Sequence, residues 1–81
     1  MNGFKQHLEL AQSFQNEMAD VDGLSVIIGV YIDRKGKFAS IAVMARKSGN
    51  DEHFFHIIGD KITAESIAEA KEELKGLGYE V

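Results

Sequence analysis

Leu24, Val26, Ile28, Val30 and Ile32 occupy alternate positions of one short run, and Ala39, Ile41, Val43 and Ala45 do the same shortly after it. Period two is the repeat of a β-strand, where alternate side chains share a face. The two runs are separated by Asp33-Arg34-Lys35-Gly36, a turn signal with Asp early and Gly last. The pattern therefore predicts a hairpin with strands at 24–32 and 37–46. A four-residue loop over 33–36 pairs Ile32 with Lys37. Leu24, Val26, Ile28 and Val30 then stand against Ala45, Val43, Ile41 and Ala39, which with Ile32 gathers nine aliphatic residues on one face. A three-residue loop with a glycine bulge would set Val30 against Ser40 and divide that set between the two faces. A one-residue slip moves every side chain across the sheet, so the apolar pattern selects the first register.

Two amphipathic stretches flank the hairpin. Phe4, Leu8, Ala11, Phe14 and Met18 step by three or four, with Val21 continuing the series, and predict a helix over 4–19. Ile67, Ala70, Leu74 and Leu77 predict a second helix. Thr63 is its N-cap, Glu65 lies in its first turn, and Ile62 and Ile67 form a hydrophobic staple across the cap. Gly76 or Gly78 ends it, and Tyr79 and Val81 are expected to fold back onto the core. Lys47 to Asp51 reads as a polar turn, and a third strand runs from Glu52 or His53 to Ile58. Phe54, Phe55, Ile57 and Ile58 give that strand apolar groups on both sides, so periodicity does not choose its inward face. The expected architecture is α+β, in the order α-β-β-β-α. It is a three-stranded antiparallel meander with both helices on the aliphatic face, a single domain spanning residues 1–81.

Size and composition bound the function. A chain of 81 residues buries only roughly 60% of its unfolded surface, which leaves little interior for a deep catalytic pocket. With no Cys there is neither a disulfide framework nor a thiolate metal site. The longest apolar run, Val26–Ile32, is too short to span a bilayer, and the first residues lack the pattern of a secretory signal. The expectation is a cytoplasmic protein with no membrane association. His53 and His56 are three apart, which on a strand sends them to opposite faces, so a shared metal is not expected. His7 lies beside the apolar stripe of the first helix, where packing or exposure accounts for it. Ser13, Ser25, Ser40, Ser48 and Ser66 lie in no nucleophile motif, and Gly59-Asp60-Lys61-Ile62-Thr63 lacks the spacing of a phosphate loop. No catalytic residue, metal or cofactor is expected.

The formal charge of −4 conceals an uneven distribution. Residues 34–61 carry six cations (Arg34, Lys35, Lys37, Arg46, Lys47, Lys61) against three carboxylates (Asp51, Glu52, Asp60), a net +3 set between acidic flanks. The element order and length resemble those of the double-stranded-RNA-binding domain. That family contacts RNA with its first helix, the loop between its first two strands, and a basic start to its last helix. Arg34-Lys35-Gly36-Lys37 falls where that loop would be. The last helix starts instead with Thr63-Ala64-Glu65-Ser66, and a carboxylate there repels phosphate, so the resemblance stops at topology.

Two helices cover one face of a three-stranded sheet. The other face pairs Ser25 with Met44, Ile27 with Ala42, Gly29 with Ser40 and Tyr31 with Phe38. The third strand adds either Phe54, His56 and Ile58 or His53, Phe55 and Ile57. Unless a helix or the Tyr79–Val81 segment wraps over it, this is an exposed apolar surface of the kind that marks an interface. The expected function is that of a small, non-enzymatic interaction or regulatory module, homodimeric or bound to a protein partner. Ile27, Tyr31, Phe38, Ala42 and Met44 form its binding face. The alternative is a nucleic-acid-binding domain that contacts phosphates through Arg34, Lys35, Lys37 and Lys61.

Overall fold

The structure is a computed structural model that describes residues 3–47 and 51–81. Helix α1 spans Gly3–Met18, strands β1, β2 and β3 span Leu24–Asp33, Gly36–Ala45 and His53–Ile58, a 3-10 turn covers Gly59–Lys61, and helix α2 spans Ala64–Gly76. The strands form one antiparallel sheet in the order β1-β2-β3. The expected α-β-β-β-α order and α+β class are what the chain adopts. Residues 48–50, within the expected polar turn, lie outside the described residues.

The register between β1 and β2 is the expected one, with Val30 against Ala39, Ile28 against Ile41, Val26 against Val43 and Leu24 against Ala45. The connection is tighter than expected. Asp33 also pairs with Gly36, so Arg34 and Lys35 alone form the loop. An Asp33 carboxylate oxygen accepts a hydrogen bond from the Lys35 backbone N–H at 2.8 Å, the local bond that makes Asp a turn residue. Shortening the loop by one residue at each end keeps the same pairing, which is why the register survives.

The pairing of β2 with β3 resolves the ambiguous strand. Ile41 stands against Ile57, Val43 against Phe55 and Ala45 against His53. His53, Phe55 and Ile57 therefore share the aliphatic face, and Phe54, His56 and Ile58 take the opposite one. Both helices pack on the aliphatic face. Ala11, Phe14 and Met18 from α1 and Ile67, Ala70 and Leu74 from α2 join Ala39, Ile41, Val43 and Ala45 of β2 in one buried cluster, closed by Ile62 and Tyr79. Phe14, Ile41, Ile62, Leu74 and Val43 are its largest fully buried side chains. Across the helices, Lys71 Nζ lies 2.8 Å from a Glu17 carboxylate oxygen. That pair is exposed enough to be worth no more than about 1 kcal/mol, so apolar burial holds the layers together.

Both ends of α2 are closed by local chemistry. The Thr63 hydroxyl accepts from the Ser66 N–H, and the Ser66 hydroxyl accepts from the Thr63 N–H, each at 3.0 Å. This is a capping box with Ser in the place more often held by Glu. Ile62 and Ile67, the expected staple, are both buried. At the other end the Tyr79 N–H donates to the Leu74 carbonyl and the Gly78 N–H to the Lys75 carbonyl, both at 3.0 Å. Gly78 has φ +99°, the left-handed geometry that this Schellman arrangement requires. The reversal drives Tyr79 into the core and leaves Val81 half-buried against it. The C-terminal segment thus packs among the helix-side residues.

The described residues measure 42 × 19 × 17 Å. The thin dimensions match one sheet plus one helical layer, packed roughly 10 Å apart. Among the described residues no helix is long and apolar enough to cross a membrane. Leu74→Ala leaves a void at the centre of the core and is expected to lower unfolding stability by roughly 2–5 kcal/mol. Thr63→Ala removes one cap bond and is expected to cost about 1 kcal/mol. Urea unfolding followed by far-ultraviolet circular dichroism measures both.

Candidate functional site

The sheet face opposite the helices is built by the odd residues of β1 and their partners. Its rows are Ser25–Met44–Phe54, Ile27–Ala42–His56, Gly29–Ser40–Ile58 and Tyr31–Phe38. None of these side chains carries a formal charge when His is neutral. Four large apolar groups remain about half-exposed: Ile27 at 55%, Tyr31 at 53%, Phe54 at 56% and Ile58 at 47%. A contiguous apolar surface of this kind is unusual on a monomer.

Its relief follows from residue size. Gly29 sits in mid-strand, where a Cβ would lie 2.7 Å from the Tyr31 ring and 2.9 Å from the Ser40 Oγ. The missing side chain lets the tyrosine lie back along its own strand. Tyr31 also stacks on Phe38, with ring centroids 5.4 Å apart and planes inclined by 26°, and Ser40 is buried beneath. At the other edge the Phe54 ring meets His56 edge-on at 4.6 Å. The small residues Gly29, Ser40 and Ala42 lie between these aromatic groups. The surface is a flat sheet rimmed by rings, and it offers a partner area rather than a cleft.

Ile27, Tyr31, Phe38, Ala42 and Met44 thus lie on one face, Ile27 and Tyr31 exposed and the other three half-buried. Sequence reasoning left Phe54, His56 and Ile58 as one of two possible sets. Four apolar residues on a six-residue strand gave no periodic signal to select them. Apolar exposure also occurs on the other, helix-bearing face of β1. Val30 and Ile32 belong to the aliphatic set, yet they are 51% and 76% exposed. The start of α1 lies toward the other side of the sheet, with Phe4 against Lys37 of β2 and the helix touching the Gly59–Lys61 turn, so the far end of β1 is left uncovered.

Arg34, Lys35, Lys37 and Lys61 occupy the hairpin end but do not form a single cationic patch. Lys35 and Lys37 line a hollow that also contains Asp33 and Asp60. Lys37 Nζ lies 5.8 Å from the centroid of the Phe4 ring. Lys61 lines a different groove, between β3 and α2, together with Glu69 and Glu73. At the opposite end Lys47 Nζ donates to the Gly78 carbonyl at 2.7 Å and lies 5.2 Å from the Tyr79 ring centroid. That end carries Asp20, Asp22 and Glu80 around one hollow. His53 and His56 point to opposite faces, and among the described residues no three His, Cys, Asp or Glu gather as metal ligands. The chain matches no family model, no curated protein and no solved structure, so the likeness to the double-stranded-RNA-binding domain stays one of element order.

Proposed function

We propose that this chain is a non-enzymatic interaction module whose binding surface is the open sheet face, docked against the apolar surface of a second copy or of another protein. The observation that supports the reading is the run of half-exposed Ile27, Tyr31, Phe54 and Ile58 across four rows that carry no formal charge. Interfaces are depleted of charge at their centre and enriched in Tyr, Phe and Met, and Met44 and Phe38 complete that composition. Shape supports it too. A flat surface loses little conformational freedom on docking, because its side chains stand on a rigid hydrogen-bonded sheet.

Ile27→Glu and Phe54→Glu place a carboxylate on the face without disturbing the core. Each is expected to leave the urea midpoint near that of the parent chain and to weaken concentration-dependent association in light scattering by roughly tenfold or more, one buried unpaired charge being enough for that loss. Association indifferent to both substitutions overturns the reading, and a parent chain that is monomeric at every concentration leaves another protein, not a second copy, as the occupant. Duplex RNA and duplex DNA titrated at low salt are expected not to bind, because Asp33 and Asp60 stand among the cations of the hairpin end. Binding that falls steeply as salt rises would transfer the function to Arg34, Lys35, Lys37 and Lys61.

A further inference from the structure

The outer edge of β1 is a second unsatisfied surface, and hydrogen-bond geometry shows which residues compose it. The Arg46 N–H donates to the Gly23 carbonyl at 2.8 Å, so the Gly23–Arg46 pair and every second pair after it are hydrogen-bonded to β2. The odd residues of β1 face β2, and the even residues turn their N–H and C=O groups outward. The first part of this edge is closed within the chain. The Leu24 N–H donates to the Val21 carbonyl, and Gln15 Nε2 donates to the Val26 carbonyl at 2.9 Å. From Ile28 to Ile32, among the described residues, no strand or side chain closes it.

Natural sheets blunt such edges with charge, proline, bulges or a covering element. Between Ile28 and Ile32 β1 has none of these, and its charge begins only at Asp33 and the turn. No charge occurs from Leu24 to Ile32, the chain has no Pro, and the ten-pair register with β2 is unbroken. The outer edge of β3 differs. It is six residues long, and α2 places Glu69 and Glu73 beside the groove along it. The unprotected stretch of β1 is also where Val30 and Ile32 are bare on the helix side and Tyr31 is bare on the other.

We propose that β1 pairs antiparallel with β1 of a second copy about a two-fold axis at Val30, joining two sheets into one of six strands. The occupant is a second copy because the edge complements itself. Val30 meets Val30 and Ile28 meets Ile32, so outward groups meet outward groups and each bare aliphatic side chain gains a neighbour. Gly29 meets Tyr31, and each tyrosine ring stays over the Gly29 of its own chain, out of the partner's way. Charge agrees. Antiparallel pairing carries the tip with Arg34, Lys35 and Lys37 toward the end of the partner that holds Asp20, Asp22 and Glu80. There Lys47 is held by the Gly78 carbonyl, and Arg46 lies just past the end of β2, one strand further in, so the three carboxylates outnumber the cations. The contact is isologous and closes at two copies.

The absence of Cys makes the test direct. Paired Val30 positions fall within the reach of a disulfide, so Val30→Cys under mild oxidation is expected to give a covalent dimer, and Ile58→Cys, equally bare but on β3, is expected to give far less. Val30→Pro removes an outward N–H that the monomer does not use, and Val30→Lys adds charge to the edge. Each is expected to weaken association in sedimentation equilibrium by roughly tenfold or more, through the two hydrogen bonds lost across the axis or the added like charges. A circular dichroism spectrum matching the parent's establishes that either variant is folded. Phe54→Glu, on the far strand of the open face, is expected to leave the Val30→Cys crosslink intact, which separates edge from face. Equal crosslinking at both cysteine positions, or association unmoved by both edge substitutions, overturns the proposal.

Discussion

Side chains alternate along a strand, so the ten pairs between β1 and β2 commit every residue of both strands to a face at once. One slip would place Ile41 and Val43 in water and Ser40 and Met44 against the helices. In the observed register the aliphatic face has enough apolar surface to dock two amphipathic helices. Neither helix has the length or composition to hold its shape alone in water. The helices depend on that face, the capping box and the Schellman turn fix where α2 begins and ends, and Tyr79 seals the layer. The stability of the molecule rests on the hairpin's parity.

The same parity creates the surface on the other side. In a chain of this size there is material for one helical layer, and the thickness of 17 Å contains no third. Placing nine aliphatic residues on one face leaves the intervening residues of both strands on the other. A chain that only needed to be soluble would carry Lys, Glu or Thr at those positions. Ile27, Tyr31, Phe38, Met44, Phe54 and Ile58 stand there instead, and core packing does not explain them.

The hairpin register was legible in the sequence because only one pairing unites the aliphatic residues. Thr63, Ile62 and Ile67 were legible because caps and staples act over four residues, within the reach of local pattern. The face of β3 was not. Phe54-Phe55 and Ile57-Ile58 supply apolar groups to both sides, and the choice is made by Ile41, Val43 and Ala45, which are distant in sequence. The two-residue loop was missed by one position at each end, because Asp33 and Gly36 are turn formers that here also pair with each other as the last rung of the ladder. The exposure of Val30 and Ile32 was also hidden. Alternation marks a face, whereas burial depends on how far a helix extends over it.

Net charge shows the same separation between composition and arrangement. The excess of carboxylates suggests an acidic surface, and the cationic middle segment suggests a phosphate site, yet neither follows once the groups are placed. Cations and carboxylates alternate around the hairpin end, and the other acidic groups are spread over both helices, the residues just before β3 and the hollow beside Gly78 at the opposite end. What survives is a gradient along the long axis that runs beside a strand uncharged from Leu24 to Ile32. Within β1 three demands divide by position: odd residues build the open face, early even residues build the core, and Ile28, Val30 and Ile32 reach the edge. A substitution in this strand acts on stability, on face docking or on edge pairing according to its parity and its distance from the turn.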